Sequence, residues 1–293
     1  MKDILVTLPT RDYELIDSGY GEKLERYGEV IVSRPDPQAL WRKNESDERW
    51  NNAHASFRKE SERGSWVSKI DLPKEWRVKI GGITFSPKLS PFKHIGIFPE
   101  QSSNWTWLEE CIKKSKVEEF SVLNLFGYTG GASLACAMAG ANVVHVDGSK
   151  SAITWAKSNA QISGLEKAPI RWILEDARSF VKKELKRGKK YHGIILDPPT
   201  YGHGAEKEVW KIENDLVPLI KDIKKLLSDD AVFLLLNGYA SGYSAIAFEN
   251  LISYVFPDGK EEISSGELAI QESSAGRLLP AGIFARWCHR RIM

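Results

Sequence analysis

The sequence predicts an α/β protein whose second half forms a mainly parallel, seven-stranded sheet with an antiparallel terminal hairpin, preceded by a small β-containing domain. Three observations carry this expectation. From Phe120 onward, apolar runs of strand length alternate with amphipathic segments of helix length, the pattern that parallel βαβ units leave in a sequence. The last two apolar runs are separated only by "SSAGRLLP", too short for a helical crossover, so they should pair as an antiparallel hairpin at one sheet edge. Up to about Trp107 the chain is instead rich in tryptophan, proline and charge, with short β-like pieces such as "EVIVSR" and "WRVKIGGITFSP" set between turn residues. The expected division is therefore 1–107, a small domain or extension suited to substrate binding, and 108–293, the α/β domain.

The candidate strands, in order, are "FSVLNLF" (120–126), "ANVVHVD" (141–147), "PIRWILE" (169–175), "YHGIILD" (191–197), "DAVFLLLN" (230–237), "GELAIQE" (266–272) and "AGIFARW" (281–287). Helices fill 131–139, 149–163, 177–188, 213–227 and 243–254. Ser149 is the expected N-cap of the second helix, and Gly140 and Gly164 are the expected C-terminal stops of the first two.

With 293 residues, 42% hydrophobic and 27% charged, the chain is long enough for two domains or for one large domain with an extension. A formal charge of +2 neither demands nor excludes a nucleic-acid partner. Cys111, Cys136 and Cys288 lie far apart, with no CxxC pair and no histidines at zinc spacing, so neither a disulfide framework nor a metal site is expected. No apolar run approaches the roughly 18 residues that a membrane-spanning helix requires, and "MKDILVTLPTRDYEL" is broken by charge and proline. The expectation is a soluble, cytoplasmic protein.

The chemistry starts at "LNLFGYTGG" (123–131), where an apolar run stops at a cluster of glycines and leads into the small-residue segment "ASLACAMAG". A glycine turn after a strand lets backbone approach a ligand closely, and the helix N-terminus that follows favours polar or anionic groups. Gly127, Gly130 and Gly131 are spaced GxxGG, which differs from the GxGxxG of dinucleotide binders, and alone the turn reads equally well as structural. Asp147 closes the second strand, twenty positions after Gly127, where a carboxylate can accept both hydroxyls of a ribose. Asp176 follows the third strand in "LEDARSF", where it can accept from an adenine amino group. Either acid alone could be a helix cap. Three successive strand ends with suitable polar groups point instead to an adenosine cofactor, because ligands bind at the carboxyl ends of such strands.

The fourth strand ends in "DPPTYG" (197–202). Pro198 and Pro199 stiffen the backbone and remove two N–H donors, leaving the Asp197 carboxylate and nearby carbonyls as acceptors suited to an amino group. Tyr201 offers an aromatic face to a flat base. A rigid loop without function is the plainer alternative.

With "LNLFGYTGG", "VVHVDGS", "LEDARSF" and "LDPPTYG" in this order, the second half resembles the class I S-adenosylmethionine-dependent methyltransferases, which implies a Rossmann-like seven-stranded methyltransferase sheet with its terminal hairpin. More narrowly, "IVSRPDPQALW", "FKHIGIFPEQSSNW" and "RLLPAGIFARW" resemble the bacterial large-subunit ribosomal RNA methyltransferase family, whose members modify cytosine at C5 or guanine at a ring nitrogen. The resemblance runs from about Asp12 to the C-terminus. It implies S-adenosyl-L-methionine as cofactor, with Phe126, Gly127, Tyr128, Thr129 and Gly130 around its methionine part, Asp147 at the ribose, Asp176 with Ala177 at the adenine, and Gln101 reaching over it. Asp197 and Pro198 would lie between the cofactor methyl and the substrate, and the same loop makes Pro199 and Tyr201 the remaining catalytic candidates.

Two departures bear on substrate. Cytosine C5 methylation requires a cysteine nucleophile from the loops after the fourth or fifth strand, and here those loops read "DPPTYGHG" and "NGYASGYS". A nitrogen acceptor is therefore expected. The family also implies an additional N-terminal RNA-binding domain, for which these 293 residues leave no room. Residues 41–93 carry twelve Lys/Arg against seven Asp/Glu, interleaved with Trp41, Trp50, Trp66 and Trp76, which suits ribosomal RNA as partner or, equally, a small domain's core. A protein amine or a small molecule is the alternative acceptor. A nicotinamide-dependent oxidoreductase and a non-catalytic RNA-binding protein are the readings from other classes.

Overall fold

A computed structural model describes residues 2–59, 64–91, 93–206, 208–239, 242–257 and 263–292. The chain forms two compact units. The first comprises Met1–Ile4, Ser103–Glu267 and Gly282–Met293, and the second Leu5–Ser102 and Leu268–Ala281.

The main sheet has eight strands. In chain order they are β1 (Asp3–Thr7), then, after seven strands of the second unit and its surroundings, β9 (Ser121–Leu125), β10 (Asn142–Asp147), β11 (Ile170–Leu174), β12 (Gly193–Leu196), β15 (Phe233–Gly238), β16 (Ile263–Gln271) and β17 (Leu278–Cys288). Their spatial order is β1-β16-β17-β15-β12-β9-β10-β11. All seven expected strands are present, and the terminal pair β16 and β17 are neighbours joined by a turn in which the Glu272 N–H donates to the Arg277 carbonyl at 2.9 Å. The sheet is one strand larger than expected, because the N-terminal segment "DILVT" adds itself beyond β16 and moves the hairpin in from the edge.

The helices between these strands are α3 (Gly131–Met138), α4 (Lys150–Ile162), α5 (Ala177–Lys186), α6 (Ile212–Lys224) and α7 (Ala245–Val255), and α2 (Ser102–Ser115) precedes β9. Ser149 caps α4 by accepting from the Ala152 N–H at 3.3 Å, and Gly140 and Gly164 take the left-handed conformation just past α3 and α4. The central strands are buried on both faces, which is why they read as mostly apolar runs: Val122, Leu123, Leu125, Ile194, Leu196, Leu234 and Leu236 are wholly enclosed. Leucine side chains buried in this way each contribute about 1.5–3 kcal/mol.

Register fixes where the strands end. Leu125 pairs with Val146 on one side and Leu196 on the other, and Asp147 pairs with Leu174. Phe126, Asp147 and Asp197 therefore leave the sheet at one level, with Asp176 two residues past the end of β11.

In the second unit, β2 (Tyr13–Gly19), β3 (Glu22–Tyr27), β4 (Val30–Pro35), β5 (Ala55–Lys59) and β6 (Gly64–Ser68) form a five-stranded sheet, with α1 (Asp47–Asn51) between β4 and β5. A separate hairpin pairs β7 (Val78–Ile80) with β8 (Ile83–Phe85). A buried ionic cluster sits in this unit. Glu25 accepts from Tyr13 and Tyr27, both at 2.9 Å, and from Arg34 at 2.6 Å, while Lys23 pairs with Asp36 at 3.0 Å. Burial alone would raise the Glu25 carboxyl, but Arg34 and Lys23 hold it down to about 2. Trp50 and Trp76 are core residues of this unit, with their indole N–H groups bonded to Asp17 and to the Tyr27 carbonyl. Only Trp41 and Trp66, of the four tryptophans between 41 and 93, remain half-buried.

Candidate functional site

The first turn is strained where the glycines are not. Phe126 and Tyr128 have φ of 59° and 47°, left-handed values that cost an aromatic residue on the order of 1–3 kcal/mol and cluster at functional sites. Gly130, at φ 95°, opens α3 in the same region. The turn is pinned by the Gly127 N–H on the Val146 carbonyl (3.0 Å), by the Gly130 N–H on the Gly127 carbonyl (3.0 Å), and by Asn159, which donates to the carbonyl of the buried Thr129 (2.9 Å). Behind it lies His145, wholly buried, with the position of a Cβ on Gly127 only 2.4 Å from its ring.

Asp147 is tied to this turn. One carboxylate oxygen accepts the Tyr128 N–H at 2.8 Å and the other the Ser149 N–H at 2.7 Å. Burial nevertheless outweighs these bonds and raises its carboxyl above the ordinary value. Each oxygen keeps a further acceptor position.

Asp176 is committed more heavily. It is the N-cap of α5, accepting the Ser179 N–H at 3.0 Å, and it also accepts from Arg178 at 3.0 and 3.3 Å. Burial would raise its carboxyl, but these bonds hold it below the ordinary value. Arg178 bridges on to Asp215 at 2.8 Å. Ala177, the first residue of the helix, is buried.

Asp197 has the opposite environment. It is half-buried, no side chain among the described residues bonds its carboxylate, and burial alone pushes it up to about 6. Pro198 is buried and Pro199 exposed. The Pro199 carbonyl accepts from the indole N–H of Trp210 at 2.6 Å. Tyr201 is 55% exposed and meets His203 edge-on at 5.3 Å between ring centroids. Both lie on β13 (Tyr201–His203), which pairs with β14 (Val209–Lys211) in a small hairpin. Gly204, in that hairpin, lies against Gly148 and Asp176: a Cβ on Gly148 would come within 3.1 Å of its Cα.

Residues 126–130, 147, 176–177 and 197–201 are thus gathered at one edge of four adjacent parallel strands. Gln101 ends a 3-10 turn, Pro99–Gln101, and belongs to the second unit. Trp210, Arg178 and His145 were not marked by the sequence as site residues. The three cysteines are buried, and two thiols are raised, Cys136 mainly by burial and Cys111 mainly by Cys288, whose sulfur lies 3.8 Å away. Such thiols are not activated nucleophiles. The "NGYASGYS" loop lies partly outside the described residues. Among the described residues, no helix is long and apolar enough to cross a membrane, and no cluster suited to a metal ion is found.

The family model described as S-adenosylmethionine-dependent methyltransferase matches residues 32–246. The ribosomal RNA large subunit methyltransferase K/L of Shewanella frigidimarina is 35% identical over 158 residues, 53% of this chain and 21% of that protein. Its counterpart from Hahella chejuensis is 32% identical over 163 residues, 55% of this chain and 22% of that protein. The chain spans about a fifth of the length of these curated relatives. Among solved structures, the crystal structure of the SAM-dependent methyltransferase from Agrobacterium tumefaciens is similar at a TM-score of 0.91 and 41% identity, covering 98% of this chain and 93% of that one.

Proposed function

The chain belongs to the S-adenosylmethionine-dependent methyltransferase family, and from that premise we propose that it methylates a base nitrogen of ribosomal RNA by direct transfer, without a cysteine nucleophile. The observation that carries this reading is the pairing, at one sheet edge, of a strained first turn anchored to Asp147 with a partnerless carboxylate at Asp197.

The residues present fit the cofactor. Phe126, Gly127, Tyr128, Thr129 and Gly130 would surround its methionine part. Asp147, with one acceptor position open on each oxygen, suits a ribose diol. Asp176 has less to offer an adenine amino group, since three bonds already reach it. The first-turn N–H of Ala177, which a helix cannot pair internally, would donate to a ring nitrogen. Gln101 remains a candidate contact on resemblance alone. Asp147→Ala should weaken binding of S-adenosylhomocysteine by about 1–3 kcal/mol, the scale of leaving hydroxyl partners unpaired. Calorimetry reads this directly, and unchanged affinity would remove Asp147 from the site.

S-adenosylmethionine supplies an electrophilic sulfonium methyl. A nitrogen already carries the lone pair that attacks it, so alignment of the acceptor can account for about 7–11 kcal/mol of the barrier. Asp197 and the Pro198 carbonyl would orient the acceptor and offset the positive charge developing on nitrogen. Tyr201, exposed beside this loop, would stack on a base. Pro199 contributes rigidity, since its carbonyl already has a donor.

Ribosomal RNA is favoured by the names of the relatives and by the exposed Arg42, Arg58, Lys69, Lys74 and Lys79 of the second unit. If about four of these meet phosphates, raising salt fourfold should weaken RNA binding roughly 50-fold. Fluorescence anisotropy with ribosomal RNA fragments would show it. Salt-independent binding would favour a small-molecule or protein-amine acceptor. The deciding experiment is transfer of labelled methyl to ribosomal RNA from a strain lacking this protein, followed by nucleoside analysis. A product methylated at cytosine C5 would overturn the nitrogen assignment.

A further inference from the structure

We propose that Trp210 is a positioning residue for methyl transfer, holding the Asp197-Pro198-Pro199 loop in place from outside the loop. The inference rests on the reading of that loop as the acceptor side of the site. Two successive prolines leave no backbone N–H between Asp197 and Thr200, so the loop lacks donors with which to fix itself. Its position has to be set by donors that reach its carbonyls from elsewhere.

Two such donors come from the segment that follows. The indole N–H of Trp210 bonds the Pro199 carbonyl at 2.6 Å, and the Ile212 N–H bonds the Thr200 carbonyl at 3.0 Å. By contrast, the Asp197 N–H reaches the Leu125 carbonyl only at 3.4 Å, so the strand ladder is already loosening where the loop begins. Trp210 is itself immobilised: it is 2% exposed, its ring meets Phe126 of the first turn at 4.9 Å, and the Arg178 guanidinium lies 5.8 Å from its centroid. Asp215, which holds Arg178, also accepts the Lys211 N–H at 2.8 Å, so the residue next to Trp210 is tied into the same brace. One side chain therefore connects the turn after β9 to the loop after β12. A tryptophan serving only as core would fill the same volume without a donor aimed at the second proline.

Trp210→Phe keeps a smaller aromatic ring and deletes the donor with the pyrrole edge of the indole. The expected result is turnover about tenfold lower, the scale of one hydrogen bond made effective in the transition state. The KM for RNA and the Kd for S-adenosylhomocysteine should each change less than twofold. Amide exchange in peptides spanning 200–212 should quicken with S-adenosylhomocysteine bound, while protection in β9 and α5 stays as in the wild type. Unchanged exchange across 200–212 overturns the proposal, and so does a loss of S-adenosylhomocysteine affinity in step with turnover, which would mark a general packing role. If the wild type methylates no RNA, the substrate reading fails separately, and the exchange and affinity comparisons still decide the role of Trp210.

Discussion

Replacing Asp197 by asparagine is expected to make the protein more stable and to remove most of its methyl transfer. Burial alone pushes the Asp197 carboxyl up to about 6, against about 3.9 for an unperturbed aspartate. The folded state therefore binds more protons than the unfolded chain between pH 4 and pH 6. The stabilisation from the protonated group is fully present below about pH 4 and is lost as pH rises through about 6. At pH 7 the native protein carries a poorly solvated carboxylate that asparagine would replace with a neutral group of the same shape. A shift of this size sets a ceiling of about 3 kcal/mol, and because solvent reaches the loop the expected gain is about 1–2 kcal/mol. Denaturant unfolding should show the gain at pH 7 and little difference at pH 4. The rate should move the other way. Wild-type turnover should rise through about pH 6 to a plateau as the carboxylate forms, and Asp197→Asn should lower the plateau about 100-fold with S-adenosylhomocysteine affinity unchanged. A fully active variant, or one destabilised at pH 7, would contradict the role given to this group. A carboxylate kept at a cost to stability beside two prolines is the pattern expected of a functional residue.

The parts of this site that could be read in the sequence are those whose signals are local. The strands beginning at Phe120 and Tyr191 are mostly apolar runs because both faces are buried, and Ser149, Gly140 and Gly164 mark helix ends through their own backbone and side-chain chemistry. The acids at 147, 176 and 197 follow from strand ends, so the edge at which they gather was legible as well. What escaped depends on partners distant in sequence. "DILVT" becomes a strand only because β16, some 260 residues away, offers an edge. Trp210 sits in a three-residue strand too short to carry periodicity, and its indole finds a proline carbonyl eleven residues back. Phe126 and Tyr128 gave no sign of left-handed backbone, since that region disfavours aromatic residues and only the surrounding fold imposes it. Trp50 and Trp76 show the converse: basic residues between tryptophans fitted a nucleic-acid platform and a small domain's core equally, and burial selects the core for these two indoles. Sequence spacing could not distinguish these, because Trp50 lies on the short helix α1 and Trp76 in the loop before β7, where no alternation marks the inward face.

Gly127→Ala is expected to cost the protein most of its cofactor affinity through a clash with His145, buried behind the turn. A Cβ at this position would stand 2.4 Å from Cε1 and 2.5 Å from Nδ1 of His145, closer than any real contact allows. The imidazole has nowhere to go. It is wholly buried, its Nδ1 is bonded to the Ser133 hydroxyl at 2.9 Å, and its ring packs on Trp172 at 4.8 Å between centroids. Ser133 in turn accepts from Asn124 at 2.8 Å, and the imidazole Nε2 has no partner among the described residues. With His145 fixed, the turn must move instead, and it carries the Gly127 bond to Val146 and the Tyr128 bond to Asp147 with it. The expected penalty is about 1–3 kcal/mol in stability from overpacking and a loss of S-adenosylhomocysteine affinity of about 100-fold. Burial holds the His145 imidazole down to about 3, so the ring is neutral wherever the enzyme works, and His145→Val removes volume and an unpaired ring nitrogen without removing charge. His145→Val alone should therefore bind S-adenosylhomocysteine within about fivefold of the wild type. The double variant Gly127→Ala/His145→Val should recover most of the lost affinity, with a coupling between the two sites of at least about 1 kcal/mol. Calorimetry on the four proteins closes the cycle. If Gly127→Ala binds normally, or if the double variant binds no better than Gly127→Ala, then the histidine is not what requires glycine at this turn.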